Sequence, residues 1–217
     1  MSFIDNIISF LQNGGSFIFP IGLVLVVGLA ITIERWIYLN SAYRTNQQAL
    51  TVLKNALKQG DIAVISKHAK NNSAPVFDVL SSGIARLSTV KRREDVEYAM
   101  EETIMEYMLR LEKRTPYLAT LANIATLLGL LGTIMGLITA FSAVANADPA
   151  EKANLLSASI SIAMNTTAFG LITAIPLILF HSSLMSKTSA IVDSLEMAGM
   201  KFLNSLSFAP ITDSERG

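Results

Sequence analysis

From Thr115 to Ala147, and again from Ala153 to Ser186, the chain contains no Asp, Glu, Lys or Arg. Each stretch exceeds the roughly 20 apolar residues that cross a bilayer core as a helix. A further charge-free run lies between Asp5 and Glu34. Three such runs, in a chain that is 51% hydrophobic and only 16% charged, exclude an ordinary soluble domain. The expected fold is an all-α membrane protein with three transmembrane helices and a cytoplasmic helical domain. The 17 basic and 17 acidic residues cancel, which gives nucleic-acid binding no support. Without cysteine there are no disulfides, thiolate metal sites or cysteine nucleophiles.

Hydropathy and punctuation divide the chain. Residues 1–16 place Phe3, Ile4, Ile7, Ile8 and Leu11 on one helical face, which fits an interfacial helix. An extension of the first span's packing fits equally well. Residues 1–13 carry no Lys or Arg, unlike a cleaved signal peptide. The first span is expected over 17–38, with Trp36 and Tyr38 as interfacial anchors and Pro20 in its first turns. Residues 39–117 form a hydrophilic helical segment: a helix over 45–59, Gly60 as its stop, Asp61 as the next N-cap, and Pro75 opening a short helix. From Arg92 an amphipathic helix buries Val96, Met100, Ile104, Tyr107 and Leu111 at steps of three or four. No glycine separates it from the second span, so it is expected to run into the membrane and kink at Pro116. The second span covers 118–143, a periplasmic loop 144–155, the third span 156–182 and a cytoplasmic tail 183–217.

Thirteen of the 17 basic residues are Arg35 or lie within 39–114, whereas the 148–152 loop holds only Lys152. The positive-inside rule then places the N-terminus and the short loop outside, and the large segment and C-terminus in the cytoplasm.

The spans are not uniformly apolar. The second reads Gly129-Leu-Leu-Gly132-Thr133-Ile-Met-Gly136. Gly132 and Gly136 form a GxxxG pair with Gly129 near the same side, so another helix can approach closely. The third reads Asn165-Thr166-Thr167-Ala168-Phe169-Gly170, then Ala174-Ile175-Pro176. Three consecutive polar residues at mid-span need burial between helices or contact with water. Pro176 frees a carbonyl one turn earlier, which a nearby threonine can partner. Each hydroxyl alone fits helix packing as well as pore lining. Together, on adjacent antiparallel spans, they favour a lined interior. Because neither span holds an acid, if the protein moves an ion the expected source of a carboxylate is another chain.

At GLLGTIMGL (129–137) and NTTAFGLITAIP (165–176) the chain resembles the MotA/TolQ/ExbB family of membrane channel proteins. The layout of a single span before a large cytoplasmic segment is similar to the ExbB and TolQ branch. The resemblance implies an ion-channel (stator) subunit in the bacterial inner membrane, assembled as a homopentameric ring. It also implies an ExbD- or TolR-like single-span partner bearing an aspartate, and a TonB- or TolA-like protein driven by the proton or sodium gradient. No other cofactor, metal or enzymatic activity is implied. Thr133 and Thr167 match the family's pore threonines, with Asn165, Thr166 and Thr126 as second-rank lining. Gly129, Gly132, Gly136, Gly170 and Pro176 serve helix packing. Many ExbB and TolQ proteins carry a glutamate where this chain has Ile162, so an ion path through that position has no support. Glu34 and Arg35 read as an interfacial pair. His181 reads as a solvated interfacial side chain, and His68 has no ligand spacing.

Overall fold

The computed structural model describes residues 15–59, 74–89, 92–145 and 147–206. The expected interfacial helix, Gly60, Asp61, His68 and the end of the tail lie outside the described residues or almost wholly so. Among the described residues there are five helices, in chain order α1 (Ile18–Gln59), α2 (Pro75–Leu87), α3 (Arg93–Glu112), α4 (Thr115–Ala145) and α5 (Lys152–Ser205). No strand occurs among the described residues. Among the described residues, three stretches are long and apolar enough to cross a membrane: Ile18–Ala56, Arg93–Ala145 and Lys152–Ser205, the second covering α3 and α4.

Three expectations about helix boundaries change. The first span and the helix expected over 45–59 are one helix, because nothing between Tyr38 and Thr45 breaks the backbone: residues 39–44 include neither Gly nor Pro. The third span likewise continues, through Pro176, to Ser205. Conversely, α3 and α4 are separate. The break falls at Lys113 and Arg114, where Arg114 adopts φ 66°. Pro116 sits in the first turn of α4, where its missing N–H costs nothing, and restrains the residue before it. The kink expected at Pro116 is therefore a helix start. The Arg114 guanidinium donates to Glu34 at 2.6 Å, so Glu34 is bonded to Arg114 and not only adjacent to Arg35. Arg35 itself is buried.

The chain forms two compact units. The first comprises residues 1–35 and 114–183. Here α4 and α5 run antiparallel along a seam of small residues. A Cβ at Gly136 would meet Ala163, one at Gly132 would meet Thr166, and one at Gly129 would meet the Thr167 and Gly170 backbones. Ala125 and Ala174 are buried further along the seam. Lipid gives helices no hydrophobic reason to associate, so close backbone approach and interhelical hydrogen bonds supply the attraction. From α1, Gly28 admits the Leu177 side chain, and Thr32 returns its hydroxyl to the Gly28 carbonyl at 2.8 Å.

The second unit comprises residues 36–113 and 184–217. Its core holds Leu39 and Leu53 of α1, Phe77 and Leu80 of α2, Val96 and Met100 of α3, and Ile191, Leu195 and Phe202 of α5. One buried polar node ties three helices. The Asn46 amide donates to Ser194 Oγ at 2.6 Å and accepts from the Val76 N–H at 3.3 Å. Tyr107 donates to the Asp78 carboxylate. Lys187 lies 4.3 Å from the Trp36 ring centroid and bonds Asn40. Trp36 thus packs its face against a cation in addition to any interfacial role.

Candidate pore face of the spanning unit

The seam fixes which hydroxyls meet. Gly129 has no side chain, so its carbonyl is open to both helices. Thr167 of α5 donates across the seam to that carbonyl at 2.9 Å, and Thr133 of α4 reaches it from one turn later at 3.2 Å. The two threonine hydroxyls also contact each other. Both side chains are half-buried, at one edge of the seam. Two hydroxyl hydrogens serve this cluster, and the remaining oxygen lone pairs stay available to an outside donor.

Helical spacing defines the face around the pair. Leu130 precedes Thr133 by three, Met164 precedes Thr167 by three, and Leu171 follows it by four. All three are exposed. Thr126, seven residues before Thr133, shares that face and is exposed, with its hydroxyl returned to the Ala122 carbonyl at 3.1 Å. The pair and Thr126 are thus polar positions on a face that also exposes Leu130, Met164 and Leu171. No Asp, Glu, Lys or Arg occurs in residues 115–147 or 153–186 to share it.

Other polar residues singled out from the sequence lie elsewhere. Thr166 is buried under Gly132, and its hydroxyl bonds its own helix at Ile162 O, 3.0 Å away. Asn165 is half-buried and sits two residues, about 200°, round the helix from Thr167. Thr173 is fully buried and its hydroxyl has no hydrogen-bond partner, so it does not satisfy the carbonyl freed by Pro176. Ser159, Thr166 and Thr139 line a groove of about 310 Å³ with Gly132, Gly136 and Ile162. Ile162 thus opens onto a groove that neither Thr133 nor Thr167 lines. His181 is half-buried. Among the described residues, no cluster of His, Cys, Asp and Glu could hold a metal.

Sequence reasoning missed the Gly129 carbonyl as the shared acceptor. The signal was present: a glycine four residues before a threonine leaves a bare carbonyl about one turn away, open to a second helix.

Comparison with known proteins bears on this arrangement. Residues 71–197 match the model of the MotA/TolQ/ExbB proton channel family. An ExbB homolog of Methanothermobacter thermautotrophicus, described as a biopolymer transport protein, is 25% identical over 199 residues, 91% of this chain and 69% of that one. The Tol-Pal system protein TolQ of Pseudomonas aeruginosa is 25% identical over 186 residues, 78% of this chain and 80% of that one. An ExbB-like biopolymer transport protein of Synechocystis is 29% identical over 195 residues, 86% and 74% of the two chains. The matched region contains the whole small-residue seam and both threonines, and the chain belongs to the MotA/TolQ/ExbB proton channel family.

Proposed function

We propose that this chain is the ring-forming ion-channel subunit of an inner-membrane motor complex, with five copies surrounding a dimer of an ExbD- or TolR-like single-span partner. The observation that carries the reading is the Thr133–Thr167–Gly129 cluster, a polar spot on a half-buried edge of two acid-free spans. The partner's aspartate supplies the titrating group. When protonated, it donates to a threonine oxygen; when ionised, it accepts from a threonine hydroxyl that rotates away from the Gly129 carbonyl. The site therefore holds both states of one carboxyl without a charge of its own. One charge crossing 100 mV releases about 2.3 kcal/mol, so each mechanical stroke needs several ions.

In this reading the N-terminus and the 146–151 loop face the periplasm, and the second unit and C-terminus face the cytoplasm. The gradient is of protons or sodium ions, and the motion passes to a TonB-like protein serving outer-membrane transport. A Tol-type role in envelope integrity is the second reading, favoured by the similarity to a protein named TolQ. Co-reconstitution with the partner in liposomes tests the common core. The proposal expects ion flux that needs the partner's aspartate. An assembled complex that passes no ions would make the chain a scaffold. A TonB-like or TolA-like protein captured by the complex separates the two roles.

A further inference from the structure

Between α3 and α5 of the second unit lies an open groove of about 440 Å³. Its walls include Met100, Ile104, Met105, Met108 and Met200. Met105 and Met200 are 66% and 62% exposed. Methionine adapts to irregular partners and is over-used on binding surfaces. An exposed apolar groove in a part of the chain assigned to the cytoplasm is not covered by lipid, so it marks a contact. Glu97, Glu101 and Glu196 line the same groove. None of the three is in an ion pair among the described residues. The groove therefore asks for an occupant with positive charge carried on apolar stems.

The same unit offers such a surface. Residues 36–59 of α1 contain Arg44, Lys54 and Lys58 and no acid. Arg44 and Lys54 are exposed, on the side away from buried Asn46, Ala49 and Leu53. Residues 93–106 of α3 are the converse, with six acids and one base: Glu94, Asp95, Glu97, Glu101, Glu102 and Glu106 against Arg93. Lysine and arginine lay their methylene stems over apolar surface while the charged head reaches a carboxylate.

We propose that the methionine groove between α3 and α5 receives the basic face of α1 from a second copy of this chain. The groove and the basic face are different surfaces of one unit. Their contact is head-to-tail, the type that generates a ring when its rotation closes. The inference rests on the ring put forward above and adds which surfaces make it outside the membrane.

The cysteine-free sequence permits a direct test. Chains bearing Met200→Cys and chains bearing Lys54→Cys, carrying different tags, are co-expressed, and isolated membranes are treated with a short bis-maleimide. The proposal expects a cross-linked species containing both tags. A second arm reverses charge: Glu97→Lys with Glu101→Lys should lose the ring by native mass spectrometry, and Arg44→Glu with Lys54→Glu in the same chain should restore it. An intact ring with no mixed-tag product overturns the proposed surfaces while leaving the ring standing. Protection of Met200→Cys only when another protein is present assigns the groove to that protein and overturns the proposal. A wild-type monomer overturns both.

Discussion

Thr167 reaches across to the backbone of Gly129, its hydroxyl donating to that carbonyl at 2.9 Å from the neighbouring helix. This is an interhelical bond made possible by the absence of a side chain at its acceptor. Thr167→Val keeps the shape and removes the bond. Membrane interhelical hydrogen bonds contribute about 0.6–2 kcal/mol, so unfolding in detergent should shift by about that much. Thr167→Ser should restore most of it. A valine variant as stable as the wild type would mean the bond contributes nothing.

Gly170 is the seam glycine whose added Cβ would come closest to the facing backbone. A Cβ there would lie 2.7 Å from the Ala125 carbonyl oxygen and 3.0 Å from the Gly129 Cα. Both contacts are backbone, so relief requires the helices to part. Gly170→Ala should destabilise the spanning unit by about 1–3 kcal/mol, the usual cost of overpacking. At Gly22 nothing lies within 4 Å. Gly22→Ala should be neutral or stabilise by up to about 1 kcal/mol through helix propensity. Thermal melting of the two variants side by side checks the contrast; equal melting temperatures would contradict the packing seen at Gly170.

Tyr107 gives the second unit a pH signature. Burial, and then the hydrogen bond to Asp78, raise its hydroxyl well above the ordinary value of 10.0. The unfolded chain therefore loses this proton first as pH rises. The stabilisation is fully present below about pH 10 and falls away as pH climbs from there towards the raised folded value. Tyr107→Phe should cost about 1 kcal/mol at pH 8, since the group is half-buried. It should also flatten the alkaline loss of stability. Melting curves at pH 8 and pH 11 read both effects, and an unchanged alkaline slope would count against this role.

Much of this was readable from the chain. The three- and four-residue spacing of Val96, Met100, Ile104 and Leu111 named four side chains that are buried. Tyr107, from the same series, is half-buried because its hydroxyl leans out to Asp78. The glycines of α4 announced a close helix approach, and α5 makes it. Other features depend on partners distant in sequence. Nothing near Glu34 predicts Arg114, eighty residues away, and nothing near Asn46 predicts Ser194. Thr166 and Thr167 are indistinguishable by composition. One helical step of about 100° buries the first in the seam and leaves the second at its edge. The break at Arg114 was missed because an arginine with positive φ carries no local signature.

The proposed orientation, drawn from the distribution of basic residues, is open to chemical labelling. Single cysteines at Ser73 and Ala150 should react from opposite sides of the membrane, Ala150→Cys with an impermeant maleimide in intact cells and Ser73→Cys only after lysis. Labelling of Ser73→Cys in intact cells would invert the topology.

The central claim is that Thr133 and Thr167 serve a partner's carboxyl and not only the seam. It is tested most directly by ion-driven activity of the Thr133→Val/Thr167→Val double variant, measured beside partner co-purification. The account predicts a complex that still assembles, weakened by no more than the hydrogen bonds lost, with energised transport or envelope function abolished. Full activity in the assembled double variant would contradict it.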